Sequence, residues 1–438
     1  MEYIDAANNW YCNKNIENFH ERTTVNGAKY NMNRMGFAKT ACNDDANLCE
    51  VVEITADESE NANDEINQIF KRNRFDNMFR RQLEKTSAIG TCACYIVADN
   101  AEVLESGKIR NAELRLNYVD GSQYIPLTVD NDEVIEAAFA SRQLVKGKRR
   151  YTIVIFCLNE NKKYIAETYT VDDKGIQMDS SSLELGEIKP FSVYRTAEVN
   201  NIEEMGDGYG LPKVWDAIPV LKGLDLGYNI LFNDLDKGEK LILINELLCK
   251  YGPNGEIIQS TENKKLFVLT GEKLPEENSL IHEYNPEIRI ETVRNVFETL
   301  LSIVSLKFGY GSKKYTFENN HITTATEYIG GKQDQMQALN RQRYQVTQYI
   351  TEIVKAVKWC SNNFNGTSYN IDSEVIIEYN DSYIIDKESV LERKRNDALS
   401  FDIPELKVWY LMDAYSLTEE EAKELVFREE NDDNDEDE

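Results

Sequence analysis

The spacing of apolar residues changes period along this chain and then changes back, and that switching narrows the possible folds more than any other feature. Within 31–50, Met35, Ala38, Cys42, Ala46 and Cys49 fall on one helical stripe. After an acidic break at 57–64, Ile66, Ile69, Phe70, Phe75, Phe79 and Leu83 recur near 3.6 residues, which predicts a second helix. From 92 to 195 the pattern turns to short β-branched and aromatic runs: 94–97, 114–118, 134–139, 151–157 and 164–171. Asp120-Gly121, Lys146-Gly147 and Lys174-Gly175 part several of them as turn signals. Helices followed by an antiparallel, meander-like β region define an α+β chain.

The period then reverts. A Gly-rich hinge at 206–212 precedes a helix over 213–237 with Val214, Ile218, Leu221, Tyr228, Leu231 and Leu235 on its apolar stripe. Pro219, Gly223 and Gly227 predict a bend or break in it. Short strands return over 241–282, at 241–244, 257–258 and 266–269. A helix over 286–308 should bury Val293, Val296, Phe297, Leu300, Leu301, Val304 and Phe308, and it stops at Gly309-Tyr310-Gly311. Beyond a polar loop, 312–320, the longest helix runs from Thr323 to about Cys360, with a kink or break expected at Gly330-Gly331. A strand at 375–379, a helix from about 387 and a last helix opened by a capping box at Ser416 to Glu419 complete the pattern. The acidic tail, 429–438, cannot bury surface and is expected to be disordered and dispensable for assembly.

A chain of 438 residues is long enough for two to four units, and 41% hydrophobic residues exclude wholesale disorder. No apolar run approaches a membrane span, and the first residues lack the basic and apolar regions of a signal peptide, so a cytosolic protein is expected. The eight cysteines are scattered and contain no CxxC; Cys92 and Cys94 read as small core residues, and reduced thiols are expected throughout. His20, His282 and His321 lie far apart in sequence, and the acidic run from Asn380 to Asp386 follows a strand, so no metal site is predicted. No nucleophile elbow, P-loop, HExxH or kinase set occurs, and the prediction is no catalytic residue and no cofactor.

Charge is unevenly spread. The chain carries 77 acids and 49 bases, a net −28. Residues 1–236 hold 39 acids and 26 bases (−13), and residues 366–438 hold 23 and 7 (−16). Between them, 237–365 hold 15 and 16 (+1), and 305–365 alone carry 8 bases against 4 acids. A locally basic segment inside an acidic protein is read either as an ordinary helical pair with solvated charges or as a surface facing a polyanion.

Taken in order, these elements resemble the portal proteins of tailed bacteriophages, in particular the family of long-tailed phages of Gram-positive hosts. Four stretches carry the likeness: Gly210-Leu211-Pro212 to Asp225; Leu306 to Phe317 with Thr324 to Glu327 after it; Ile377 to Lys387; and Ala88 to Ala93 at the entry to the β region. None is specific alone, but they stand in register from residue 88 to residue 387. Gly330-Gly331 and Lys332 depart from the polar helix formers usual there, and the amino terminus is short.

The resemblance implies a portal-type α+β subunit: wing 1–211, first stem helix 212–238, small β-rich clip 239–285, second stem helix 286–308, tunnel loop 309–322, tunnel helix 323–362, helical crown 363–428 and the tail 429–438. It implies a homo-oligomeric ring, a dodecamer, at one capsid vertex of the virion, assembled in the host cytoplasm, through which double-stranded DNA is packaged and ejected. The partners it implies are the terminase large subunit, a head-completion or adaptor protein, and the major capsid and scaffolding proteins; no membrane is involved. Lys313, Lys314, Tyr315, Asn319, Asn320 and His321 would line the DNA channel, and Lys250, Asn254, Lys264 and Lys265 would meet clip partners. The rival readings are another ring-forming tail or baseplate protein and a soluble α+β enzyme.

Overall fold

In the computed structural model, which describes residues 1–24, 26–99, 102–103, 109–238, 241–245, 253–254, 266–269, 281–284, 289–312, 314–316, 325–380, 387–401, 403–415, 417–418 and 420–426, the two periods sort into a helical body and a twisted meander. The chain opens with α1 (Glu2–Tyr11), the short pair β1 (Glu21–Thr23) and β2 (Lys29–Asn31), α2 (Phe37–Leu48) and β3 (Val51–Thr55). The helix predicted over 31–50 is shorter, because Gly36 at φ 67 sets its start at Phe37; Ala38, Cys42, Ala46 and Cys49 are buried as the stripe required.

The second predicted helix is two, α3 (Glu60–Arg72) and α4 (Phe75–Ile89). Arg74 between them sits in the left-handed region at φ 53, which a continuous helix cannot contain. Asn73 fills the corner, donating to the carbonyls of Ile69 (2.9 Å) and Leu114 (3.0 Å) and accepting from the Leu116 amide (2.9 Å). Phe70, Phe75 and Phe79 stay in one stack across the break, so the apolar period hides it.

The β region begins with β4 (Thr91–Asp99), the short β5 (Glu102–Val103) and β6 (Ile109–Arg110), and β7 (Glu113–Asp120). The meander follows: β8 (Tyr124–Asp130), β9 (Glu133–Val145), β10 (Lys148–Leu158), β11 (Tyr164–Asp172) and β12 (Gln177–Glu184), with β13 (Phe191–Arg195) closing the region. Strands β8 to β12 pair in sequence order as a five-stranded antiparallel sheet, while β13, β4 and β7 form a three-stranded one. Tyr95, Tyr124, Phe139, Phe156 and Phe191 fill the space between them. Lys146-Gly147 turns β9 into β10 with both residues at positive φ, as the sequence signal requires. Cys92 and Cys94 are buried in β4 with free thiols, and burial pushes the Cys92 thiol up to about 12.

Two entry loops meet back to back. Gly90, at φ 87, and Gly210 approach so closely that a β-carbon on Gly90 would stand 2.0 Å from the Gly210 carbonyl oxygen, and one on Gly210 would stand 2.3 Å from that of Gly90. Thr196 N donates to the Gly90 carbonyl (3.0 Å) and Gly210 N to Thr91 Oγ1 (2.9 Å). Stretches 88–93 and 210–225, far apart in sequence, are thus one contact.

From it springs α5 (Lys213–Lys237), continuous through Pro219. Among the described residues the insert after α5 holds three paired strands: β14 (Leu241–Asn245) lies parallel to β15 (Leu266–Leu269) and antiparallel to β16 (Ile281–Tyr284). Beyond it come α6 (Ile290–Lys307), α7 (Ala325–Asn365), β17 (Ile376–Tyr379), α8 (Lys387–Phe401) and α9 (Pro404–Tyr415). Gly330-Gly331 does not interrupt α7, which has 41 residues. The capping box lies two residues later than expected: the Thr418 amide donates to Glu421 Oε2 (2.9 Å) and the Glu421 amide to Thr418 Oγ1 (3.4 Å). Strand β17 pairs antiparallel with β3, so the first part of the segment expected to form the crown is built into the amino-terminal unit. The strand expected at 257–258, the acidic run 381–386 and the tail 429–438 lie outside the described residues.

Candidate functional site

The basic-to-neutral segment of the sequence becomes a helix pair, a short connector and a long helix, and its geometry begins with two glycines. Gly223 and Gly227, expected to weaken α5, are where α6 lies against it: β-carbons there would meet Leu300 at 3.1 Å and Phe297 at 3.5 Å. Ion pairs mark both ends and make the pair antiparallel. Lys307 binds Asp216 at 2.8 Å, and Arg289 binds Asp234 at 2.8 Å. The Arg289 hydrogen bonds hold the Asp234 carboxyl below its usual value. Val293, Phe297, Leu301, Val304 and Phe308 are buried as predicted, but Val296 is 45% exposed, and so is Leu235 of α5 at 51%.

The root of this pair is a buried polar cluster. Lys213 is 5% exposed and Asp45 only 2%, and Lys213 Nζ lies 3.0 Å from Asp45 Oδ1 and 3.5 Å from Glu198 Oε1. Burial disfavours the ammonium, yet Asp45 and Glu198 together hold its pKa above the ordinary lysine value. The Tyr310 hydroxyl donates to the same Asp45 oxygen at 3.0 Å. Burial first, then the neighbouring Asp45 charge, raises the pKa of that phenol. Asp45 therefore ties together α2, the start of α5 and the connector after α6.

Nearby, His20 accepts from the Ile16 amide at Nδ1 (2.9 Å), which leaves Nε2 to donate to Asp225 Oδ2 (3.0 Å). Asp225 Oδ1 accepts from the Met35 amide (2.7 Å), fixing α5 a second time. A third fastening holds α7: Lys358, fully buried, binds Asp57 at 2.9 Å, Ser373 Oγ at 2.5 Å and the Asn370 carbonyl at 3.0 Å. Gln342 donates to the Tyr194 hydroxyl (3.0 Å), and Glu352 takes Lys189 (3.0 Å) and Ser192 (2.7 Å). The partnerships that join separate elements have no local sequence signature, running from Gln342–Tyr194, 148 positions apart, to Lys358–Asp57, 301 apart.

Of the residues expected to line a channel, two are described. Lys314 stands 4.4 Å over the Tyr310 ring. Tyr315 is half-buried, packed edge-on against Phe37 at 4.9 Å, with its hydroxyl 2.9 Å from Asp44. Tyr315 thus packs against α2. Lys313, Asn319, Asn320 and His321 lie outside the described residues. Of the clip residues, Asn254 is exposed at a turn, and Lys250, Lys264 and Lys265 lie outside. Among the described residues no group of three or more His, Cys, Asp or Glu could hold a metal ion, and no helix is long and apolar enough to cross a membrane.

The class this defines is an α+β chain whose helix pair carries a small sheet at its far end and is fastened at its root to the amino-terminal unit. Among particular proteins, no family model and no curated protein matches the chain. Among solved structures it is similar to a chain of the neck of a native GTA particle computed with C12 symmetry, with a TM-score of 0.37, 10% identity, and 83% of this chain and 85% of that one covered. A superposition that loose fixes neither family nor role.

Proposed function

We propose that this chain is the subunit of a closed homo-oligomeric ring, and that the ring is a portal: a structural, non-catalytic conduit for double-stranded DNA at one vertex of a tailed-phage capsid. The observation that carries the ring is the placement of apolar side chains on α5. Leu226 (39% exposed) and Ile230 (41%) project from one side of the helix, and Phe232 (47%) and Leu235 (51%) from the other, roughly half a turn away. Helix α6 occupies the face between, at Gly223 and Gly227. A two-fold dimer buries the same patch twice, whereas a ring uses two different patches on each subunit, one for each neighbour. Two opposed apolar flanks on one helix suit the second arrangement.

The conduit reading adds the charge pattern and the family resemblance. A channel for DNA must not grip, because each phosphate neutralised by Lys or Arg adds affinity through counterion release. A segment of +1 inside a chain of −28 meets that need. On this reading the insert β14–β16 meets the terminase large subunit and later a head-completion protein, and the capsid and scaffolding proteins contact the body.

Mass photometry and electron microscopy at micromolar concentration test the ring. The wild-type chain should form closed rings, while L226E/I230E and F232E/L235E should each prevent closure. Mixed, these two variants retain one intact interface between them and should give heterodimers. A wild-type chain that remains monomeric, or rings that persist in both variants, would sink the proposal.

A further inference from the structure

The meander carries a feature of opposite sign to the rest of the protein. Between Ala137 and Asn159 there is no acidic residue, and five bases, Arg142, Lys146, Lys148, Arg149 and Arg150, crowd around the turn joining β9 to β10. All five are exposed, and among the described residues none forms an ion pair.

The sheet register shows how they are presented. Strand β8 pairs with β9 only as far as Phe139, and β11 pairs with β10 only as far as Arg150. Strands β9 and β10 stay paired past those points, β11 still flanking Tyr151 and Arg150, and the last pairs, Leu144↔Arg149 and Val145↔Lys148, stand alone as the two-stranded tip of the ribbon. Cross-strand partners share a face and successive residues alternate. Arg142 and Arg149 therefore lie on one face with Leu144 and Tyr151, while Lys148 and Arg150 lie on the other. Lys146 sits at the tip. The nearest carboxylate on the third strand, Asp172, pairs with Arg150 in register, but its Oδ1 accepts from the amides of Lys174 (2.9 Å) and Ile176 (2.8 Å) and so closes its own turn. At the ribbon's root lies an open cleft of about 850 Å³ lined in part by Arg115, Asn117, Asp120, Gln123 and Arg142, with Arg115 paired to Asp99 at 2.8 Å.

We infer that this ribbon is a second nucleic-acid contact, distinct from the proposed channel, which holds double-stranded DNA by its phosphates without reading sequence. Bases on both faces decide for DNA over an acidic protein surface. A ribbon laid on a protein meets it with one face, whereas a ribbon entering the major groove has a phosphate wall on each side. Three of the five bases are arginines, whose planar fork matches phosphate oxygens. The inference does not depend on ring formation.

The experiment uses the full-length chain and a fluorescein-labelled DNA duplex of mixed sequence, with anisotropy titrations from about 50 to 200 mM salt. The wild type should bind, with affinity falling steeply as salt rises. The variant R142Q/K148Q/R149Q/R150Q, altered only at exposed positions, should bind more weakly, with a log–log salt slope shallower by about 3.6, at roughly 0.9 per phosphate contact. Its oligomeric state should match wild type, which separates this result from any failure of the ring proposal. No wild-type binding at the lowest salt, or an unchanged slope in the variant, would overturn the inference. So would unaltered DNA binding with lost self-association, because the ribbon would then grip the acidic surface of another copy.

Discussion

Replacing Lys213 by Met should be among the most damaging single changes available outside the apolar core. The substitution removes the ammonium 3.0 Å from Asp45 and 3.5 Å from Glu198 while keeping most of the side-chain volume. Asp45 is left 2% exposed with the Tyr310 hydroxyl on one oxygen and no partner among the described residues on the other. An uncompensated buried carboxylate of this kind costs about 3–5 kcal/mol, against a total stability of about 5–15 kcal/mol for an ordinary domain. Removing both charges is a different matter. D45L/K213M exchanges the ion pair for apolar contact but leaves the buried Tyr310 hydroxyl without its acceptor, so it should be destabilised by about 1–3 kcal/mol, less than K213M alone. Urea unfolding followed by tryptophan fluorescence reads the difference at the right place, because Trp215 packs edge-on against Tyr3 at 4.8 Å two residues away. The pH dependence adds a check of sign. A raised lysine pKa contributes stability that is fully present below the ordinary lysine value and is lost only as pH rises through the higher folded value. Protonation of Lys213 therefore adds no pH dependence to wild-type stability between pH 6 and pH 9. A K213M chain within 1 kcal/mol of wild type, or a double variant as unstable as the single, would refute the reasoning.

Two further outcomes follow from the same geometry. Burial works against the Asp57 charge, but Lys358, the Ser59 amide and Ser373 hold its carboxyl below the usual value, so its contribution is present above the unfolded value and lost as pH falls through the folded one. D57N should be destabilised at pH 7, and its acid-unfolding curve should show a smaller drop below about pH 4 than wild type. Gly90→Ala places a β-carbon 2.0 Å from the Gly210 carbonyl at a φ only glycine adopts readily, so the soluble yield and melting temperature of G90A should fall sharply, while Gly147→Ala, at an open turn, should cost far less.

The meander was legible because β-branched and aromatic residues alternate between turn pairs whose φ requirements are visible in the sequence, as at Lys146-Gly147. The helices were legible by period, but their breaks and sides were not. Phe70, Phe75 and Phe79 keep one stack through the turn at Arg74, so the period runs on where the helix does not. Leu235 and Val296 look like core in sequence, since an apolar side chain carries no mark of whether it will meet its own chain or another. Lys213 follows Leu211-Pro212 and reads as an exposed helix start; only the fold brings it to Asp45. The ribbon at 142–150 was hidden by summing charge over 1–236, where −13 absorbs five bases spread over nine residues.

The pairing of β3 with β17 has a consequence for synthesis. Thr55 is opposite Ile376, so the 320 residues from 56 to 375 must be made between the two strands. At about 5–20 residues per second that interval is roughly 15–65 s, during which the β17-facing edge of β3 has no native partner and Asp57 waits for Lys358 and Ser373. Val52, 64% exposed even in the finished chain, lies on that edge. A nascent chain of this protein is thus a long-lived intermediate with a sticky strand near its start, and a premature stop anywhere between 56 and 375 would release that strand permanently unpaired.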